Sequence, residues 1–415
     1  MESRQSSQSL QSTGSPESAE HRQFRAGVRA WIADNKPAQP DFMLPQSFLE
    51  VETEAQFDYL RRWQKQLYEA GYLGFDVPRE YGGQGVDSAR QRIVQQELGR
   101  ARAPFFVNQI ALQWVAPTIL TYGTEEQKKR LIQPLLSADE IWCQGFSEPG
   151  AGSDLASLQT RANAVEGGYR VTGHKVWTTL AHFARWMILL ARTDPEADRY
   201  GGLSYFLFPM DTDGVVIQPL VKMTGEGGFN QVLFEDAFMP SDSLLGAEGQ
   251  GWKIAMTTLT FERGAAQSQN RERAAADARA LSELVALVRS TMRDGRPVGD
   301  DALFRDRLAA LWIELEAIRL GARRASVAGL TADHPHALAM MHKVEFSEFR
   351  QSLNRLACEV LGPEAMLWLG DANAPDRAEW PRGLMNSYGF TIGGGTSEIQ
   401  RNIVGERVLG LPKSK

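Results

Sequence analysis

Three short stretches hold the residue types that could do chemistry. The first is Phe146-Ser147-Glu148-Pro149-Gly150-Ala151-Gly152-Ser153-Asp154, which with Trp142-Cys143-Gln144-Gly145 before it reads as one turn. Pro149 fixes φ and withholds a donor, while Gly150 and Gly152 permit positive φ or the close approach of a partner. Such a turn exposes backbone N–H groups on one concave face, and Ser147 and Ser153 add hydroxyls, which suits a flat or phosphate-bearing ligand. A plain surface loop is the structural alternative. The second stretch, Lys175-Val176-Trp177-Thr178-Thr179, is an aromatic plate followed by two hydroxyls. A Trp at a strand end is ordinarily core, but beside a phosphate-type turn it could cover a planar cofactor ring. The third is the helical stripe Ala255, Leu259, Glu262 and Ala266. Glu262 is either the partner of a cation such as Arg263 or a carboxylate facing an apolar pocket. In the pocket, desolvation raises a carboxyl pKa toward the range where it can take a proton at neutral pH.

The elements that must position these residues fall into three blocks. Helical periodicity covers 57–70, 88–100 and 108–122, and Thr124-Glu125-Glu126-Gln127 offers a further helix an N-cap and capping box. Short β-branched or aromatic segments at 169–177, 186–192, 202–209, 215–220 and 231–239 read as strands of one compact unit. Long helices return at 251–269, 271–293, 301–330 and 336–361, and a looser stretch at 369–385 leads to a last helix over 396–408. The expected division is a disordered tail at 1–20, a helical domain at 21–139, a β domain at 140–248 and a helical bundle at 249–415. No strand, Gly-rich turn and helix follow in sequence, so a Rossmann reading fails.

Composition narrows the class. The 415 residues suffice for two or three packed units, and 43% hydrophobic with 23% charged residues describes a globular protein. A net charge of −6 argues against nucleic acid or an anionic membrane surface as partner. Cys143 and Cys358 are the only cysteines, which excludes a disulfide framework or cysteine zinc cluster and points to the reduced cytoplasm. No metal site is expected, because the six histidines are scattered and His334-Pro335-His336 is loop-like. No apolar run approaches the roughly 20 residues of a membrane span.

Ser147 to Asp154, Val176-Trp177-Thr178-Thr179, Phe261-Glu262-Arg263-Gly264 and Gly395-Thr396-Ser397-Glu398-Ile399-Gln400-Arg401-Asn402 together resemble the acyl-CoA dehydrogenase family. The likeness runs from about 21 to 412, and the end Glu406-Arg407-Val408-Leu409-Gly410-Leu411-Pro412 is similar to a bacterial subgroup. It implies a mainly α fold with a central β domain: an N-terminal helical domain, a middle β-barrel-like domain and a C-terminal four-helix bundle. FAD would sit between the β domain and the bundle. Phe146 and Ser147 would border the flavin ring, Gly152 and Ser153 would serve the diphosphate or the acyl-CoA, and Trp177 would cover the ring. Thr178 counts among the cofactor contacts, Thr179 would lie near N5, and Thr396 and Glu398 would hold the diphosphate and ribose region. The implied reaction is α,β-dehydrogenation of an acyl-CoA thioester: a carboxylate takes the α-proton and flavin N5 takes the β-hydride. Electrons would pass on to an electron-transfer flavoprotein.

Two departures sharpen the expectation. Many members carry the base just before the Gly-Thr of the last motif, where this chain has Gly394. Members acting on branched or long acyl chains carry it where Glu262 falls. Glu262 is therefore the expected catalytic base, with Ser153, Arg263 and Gly394 at the substrate and Gly394 giving an N–H to the carbonyl. Glycine there also favours long, branched or bulky acyl groups. The second departure replaces the Arg-x-x-Phe-Gly segment, which reaches a neighbouring subunit's FAD, by Met292-Arg293-Asp294-Gly295-Arg296-Pro297, and Leu-Gly-Gly by Leu361-Gly362-Pro363. Assembly as a homodimer or homotetramer, or with a related chain, stays open. So do two other readings: a flavin-dependent monooxygenase or oxidase on the same fold, and an FAD-binding non-catalytic subunit of a mixed oligomer.

Overall fold

A computed structural model of the chain describes residues 18–86, 88–262, 267–324, 327 and 337–413. The opening layer is helical, and local signals set its ends. Helix α1 (Ala19–Asn35) starts where the Ser18 hydroxyl accepts from the His21 N–H, so it reaches back into the expected tail, whose residues 1–17 lie outside the described ones. Helix α2 (Glu54–Glu69) opens on a Thr53–Gln56 capping box, and α3 spans Ser88–Arg100. The expected helix over 108–122 widens into a π turn at Ala111–Val115 before α4 (Ala116–Tyr122). Pro117 has no N–H to give there, and the Ala116 N–H reaches Ala111 instead. Helix α5 (Glu125–Ser137) carries the expected Thr124–Gln127 capping box.

Seven strands follow: β1 (Trp142–Gly145), β2 (Arg161–Val165), β3 (Gly168–Thr179), β4 (Trp186–Arg192), β5 (Leu203–Pro209), β6 (Val215–Leu220) and β7 (Phe229–Pro240). They form one curled sheet in the order β1-β4-β2-β3-β7-β6, with β5 also paired to β4. Residues 142–145, expected within a turn, are a strand lying parallel to β4. The segment is only four residues long, and β2, Arg-Ala-Asn-Ala-Val, lacks the run of β-branched and aromatic residues that marked the other strands. Strands β4 and β5 are mostly apolar and buried almost throughout because both their faces are covered. Ile188, Leu190, Tyr205 and Leu207 join the core shared with the helical layer, while Met187, Leu189, Phe206 and Phe208 fill the opposite face.

Helix α6 (Gly251–Glu262) packs on β5, and α7 (Gln267–Ser290), α8 (Ala302–Arg324), α9 (Ala337–Leu361) and α10 (Glu379–Ile392) form the C-terminal bundle. Leu284, Phe304, Leu315, Phe349, Leu353 and Trp380 lie in its core. The expected helix at 271–293 stops at Ser290, and Met292–Arg293 (β8) pairs with Arg296–Pro297 (β9) around a turn in which Asp294 and Gly295 both have positive φ. Asp-Gly is a hairpin signal that helical periodicity on its N-terminal side masked. Helix α10 takes up the end of the expected looser stretch and runs on to Ile392, where no element was expected. Pro381 sits in the first turn, where its missing N–H is no loss. The last helix, α11 (Ser397–Ile403), begins one residue after the predicted start, with Thr396 as its cap, and ends in a π turn at Val404–Val408.

Candidate active site

The turn after β1 is held from beneath by a buried ion pair. The Glu148 and Ala151 backbones exchange two 3.0 Å hydrogen bonds across Pro149-Gly150, and the Ser147 carbonyl accepts from the Val176 N–H of β3. Below it, Lys175 is fully buried; its Nζ donates to the Phe146 carbonyl and to Glu148 Oε1, both at 2.9 Å. Glu148 also accepts from the Gln159 and Thr160 N–H groups at 2.6 and 2.8 Å. Burial alone would raise the Glu148 carboxyl, but Lys175 and these donors hold it below its ordinary value. Burial lowers the Lys175 ammonium to about 8, with Glu148 opposing the fall. Asn108 anchors the strand that leads in: its amide accepts from the Trp142 N–H and donates to the Leu135 and Glu140 carbonyls. Sequence reasoning missed Glu148, Lys175 and Asn108, whose partners come from other elements.

Gly150 and Gly152 do not use positive φ. Their other expected property is present: a Cβ on either would meet nothing within 4 Å, so the chain leaves room above the turn.

Glu262 closes α6, and two contacts fix that helix. A Cβ on Gly251 would lie 2.5 Å from the Ser204 backbone, so only glycine lets α6 start against β5. One turn before Glu262, Thr258 Oγ1 bonds Thr118 Oγ1 at 3.0 Å and the Tyr205 hydroxyl at 3.1 Å, all three side chains being buried. Burial drives the Tyr205 hydroxyl far above its ordinary value, and the charge of Glu262 adds to the rise. Tyr205 is thus a neutral hydroxyl within the field of the carboxylate. Across the gap, Glu262 Oε1 lies 3.1 Å from where a Cβ on Gly394 would stand, and Gly394 has a φ of +66°.

These pieces meet around a cavity of about 550 Å³. Phe146, Ser147, Gly152 and Ser153 line it from the turn, Glu262 from α6, and Gly394 from the loop before α11. Met256, Leu259, Met340, Ile399 and Ile403 give the rest of the wall an apolar stretch, while Gln144, Asp154, Thr260 and Arg407 make it polar elsewhere. Trp177, Thr178 and Thr179 lie apart, at a bulge of β3 opposite β7. Trp177 has a φ of +60°, is 60% exposed and stands edge-on to Phe229, so it is not core. Thr178 and Thr179 are buried. Thr396 and Glu398 flank the cavity without lining it; the Thr396 hydroxyl accepts from the Ile399 N–H, and the Glu398 carboxyl is held low by its own N–H and by Thr396. Arg263 lies outside the described residues.

The residues present fit a flavin nucleotide. An exposed Trp face, a turn with open space above its glycines, and buried polar atoms lacking a protein partner at Gln144 Oε1, Thr178 Oγ1 and Ser397 Oγ answer a flat ligand with many polar edges. Among the described residues no cluster of His, Cys, Asp and Glu could hold a metal, and no helix is long and apolar enough to cross a membrane.

Comparison with known proteins agrees. Family models described as the acyl-CoA dehydrogenase N-terminal, middle and C-terminal domains match residues 18–139, 143–237 and 249–409. The chain is 40% identical over 393 residues to the acyl-CoA dehydrogenase IpdE1 of Mycobacterium tuberculosis, covering 94% of this chain and 98% of that protein. It is 32% identical over 348 residues to the mitochondrial short-chain specific acyl-CoA dehydrogenase of Homo sapiens, covering 83% and 82%. Among solved structures, a Tcur3481-Tcur3483 steroid ACAD aligns with a TM-score of 0.81 at 30% identity, covering 96% of this chain and 99% of that one. The ChsE4-ChsE5 complex from Mycobacterium tuberculosis aligns with 0.77 at 29%, covering 96% and 99%. With its three family domains matched in order and relatives aligned over most of their length, the chain belongs to the FAD-dependent acyl-CoA dehydrogenase family.

Proposed function

We propose that this enzyme dehydrogenates a bulky acyl-CoA thioester between Cα and Cβ, with Glu262 as the base. The observation that carries the reading is the Glu262 carboxylate beside Gly394 on the wall of the cavity that the 146–154 turn also lines. Bound FAD supplies a two-electron acceptor for the β-hydrogen, which leaves as hydride. The protein's own residues do the rest. Glu262 takes the α-proton, and the electron pair of that C–H bond moves toward the thioester carbonyl. The Gly394 N–H donates to the carbonyl oxygen as negative charge grows there. Tyr205 and Thr258 hold the end of α6 so that the carboxylate meets the α-carbon.

Phe146, Ser147, Gly152, Ser153, Trp177, Thr178, Thr179, Thr396 and Glu398 are assigned to the FAD, and Ser153, Arg263 and Gly394 to the thioester. Three features support a bulky acyl group: the absent side chain at Gly394, the apolar wall of α6, α9 and α11, and the steroid ACAD among the relatives. The domains are taken as 21–139, 140–248 and 249–415. An electron-transfer flavoprotein is the proposed acceptor, the cytoplasm the proposed compartment, and an oligomer of this chain or with a related chain the proposed assembly. Two of the aligned relatives are themselves two-chain proteins.

Glu262→Gln tests the chemistry. The variant should keep one FAD per chain and lose ~10²-fold or more in anaerobic flavin bleaching by substrate. Unchanged bleaching removes Glu262 as base. A panel of straight, branched and ring-bearing acyl-CoAs tests the substrate: bleaching by short straight chains alone overturns the bulky assignment.

A further inference from the structure

Gly393-Gly394-Gly395 is the least constrained backbone around the cavity by composition, since glycine gives up the most freedom on ordering. Two buried side chains from different helices hold it. Gln400 of α11, 0% exposed, donates from Nε2 to the Gly394 carbonyl at 2.9 Å. Lys343 of α9, 5% exposed, donates from Nζ to the Gly395 carbonyl at 2.6 Å, a short charge-assisted bond. We propose that Lys343 and Gln400 are positioning residues for the reaction, fixing the Gly394–Gly395 turn so that its backbone N–H side faces the thioester carbonyl. The proposal rests on the reading of Glu262 as base.

In a planar trans peptide the N–H points opposite to the C=O. Fastening the Gly394 and Gly395 carbonyls to α11 and α9 therefore turns the Gly395 and Thr396 N–H groups away from those helices, and reaches the Gly394 N–H, on the preceding peptide, only through the Gly394 backbone angles. It also fixes the plane on one side of Gly394. Gly394 and Gly395 hold φ values of +66° and +88°, both line the cavity, and Gly394 faces Glu262 across it. Released from its two anchors, a run of three glycines would share its population among several backbone states. The base and the carbonyl donor would then meet the same substrate less often, and a misplacement of about 1 Å in such a pair is worth ~10²-fold in rate. Gln400 belongs to a stretch in which only Thr396 and Glu398 are assigned to FAD, and Lys343 lies in no motif, so neither was marked by the sequence.

The test reads enolisation separately from oxidation. Phenylacetyl-CoA has α-hydrogens but no saturated β-carbon, so exchange of its α-hydrogens with D₂O, followed by mass spectrometry on the FAD-loaded enzyme, reports proton removal alone. Lys343→Met and Gln400→Leu should each slow exchange ~10- to 10²-fold, with FAD content, melting temperature and thioester Kd near those of the wild type. The double variant should be no slower than the slower single, because both changes free one turn. Where one variant does not fold, the other carries the test alone. Wild-type exchange in a folded single variant overturns the proposal, as does slowing that merely tracks lost FAD or lost stability. Glu262→Gln run alongside separates the two readings. If it exchanges like wild type, the base assignment fails; if it is silent while the Lys343 and Gln400 variants exchange normally, only the positioning role fails. Should phenylacetyl-CoA not exchange with the wild type, the α-deuterium isotope effect on bleaching by an active acyl-CoA gives the same comparison.

Discussion

A Cβ on Gly394 would stand 3.1 Å from Glu262 Oε1, on a backbone with φ of +66°. An alanine there meets both a close neighbour and a conformation that costs an L-residue about 1–2 kcal/mol. Gly394→Ala should therefore keep FAD yet lower kcat about tenfold or more, read by stopped-flow bleaching; wild-type kcat would remove the turn from the chemistry. A glutamate at 394 would put its Cβ at the same short distance and crowd Glu262. Glu148 makes a different prediction. Its carboxyl pKa is held below the ordinary 4.5, so the stability it contributes is present above that value and lost as pH falls through the lower folded pKa. Glu148→Gln leaves Lys175 buried without its counter-charge and should cost about 3–5 kcal/mol at pH 7. Its melting temperature should also fall less steeply below pH 4.5 than that of the wild type. An acid limb identical to wild type would show that other carboxylates set it.

At the scale of elements, α6 is the part that brings the base to the cavity. Gly251 lets it touch β5, and the Thr118–Thr258–Tyr205 hydroxyls fix its rotation one turn before Glu262. Thr258→Val removes the shared hydroxyl and leaves Tyr205 buried and unpaired, for a loss of about 1–3 kcal/mol, checked by denaturant unfolding; a loss no greater than that of an exposed Thr→Val change would argue against the network. The Thr53–Gln56 box of α2 starts ahead of the expected 57–70 helix and was not read, whereas the apolar stripe of α6 was legible from spacing, as was the capping box of α5. The hydroxyl network was not, because its members come from three elements and threonine in a helix carries no signal of its partner. The hairpin of β8 and β9 is similar. Arg293 sits over the Phe304 ring at 5.3 Å and donates to the Glu359 and Val360 carbonyls at the end of α9. Arg293, one of the two arginines in the departed segment, is thus committed to a helix C-terminus of its own chain, where a cation is favoured.

Polar contacts between distant elements join the layers of the whole molecule. Glu50 from the helical layer, Lys222 from the β6–β7 loop and Asn386 of α10 form one polar contact, with Arg382 of α10 paired to Glu226 beside it. On the outside, α8 exposes Trp312, Ile313 and Leu320 on one side of the helix, a face that supports the proposed assembly. Trp312→Glu with Ile313→Lys should shift the solution mass to a smaller species by light scattering, with the cofactor site intact. An unchanged mass would move the interface elsewhere.

The sequence by itself determined the family, the order of the three units and the local parts of the site, because long motifs and caps act within a few residues of one another. It marked Phe146, Ser147, Gly152, Ser153, Glu262 and Gly394, and the tertiary structure brought these six to one cavity. It also marked Trp177 without showing that its face is exposed, which follows from a bulge set by pairing with β7. What only the tertiary structure decided are the buried partners: Lys175 under the turn, Tyr205 beside Glu262, and Lys343 and Gln400 behind Gly394 and Gly395. Each depends on a contact between residues far apart in the chain, where burial makes a hydrogen bond or charge matter and spacing says nothing.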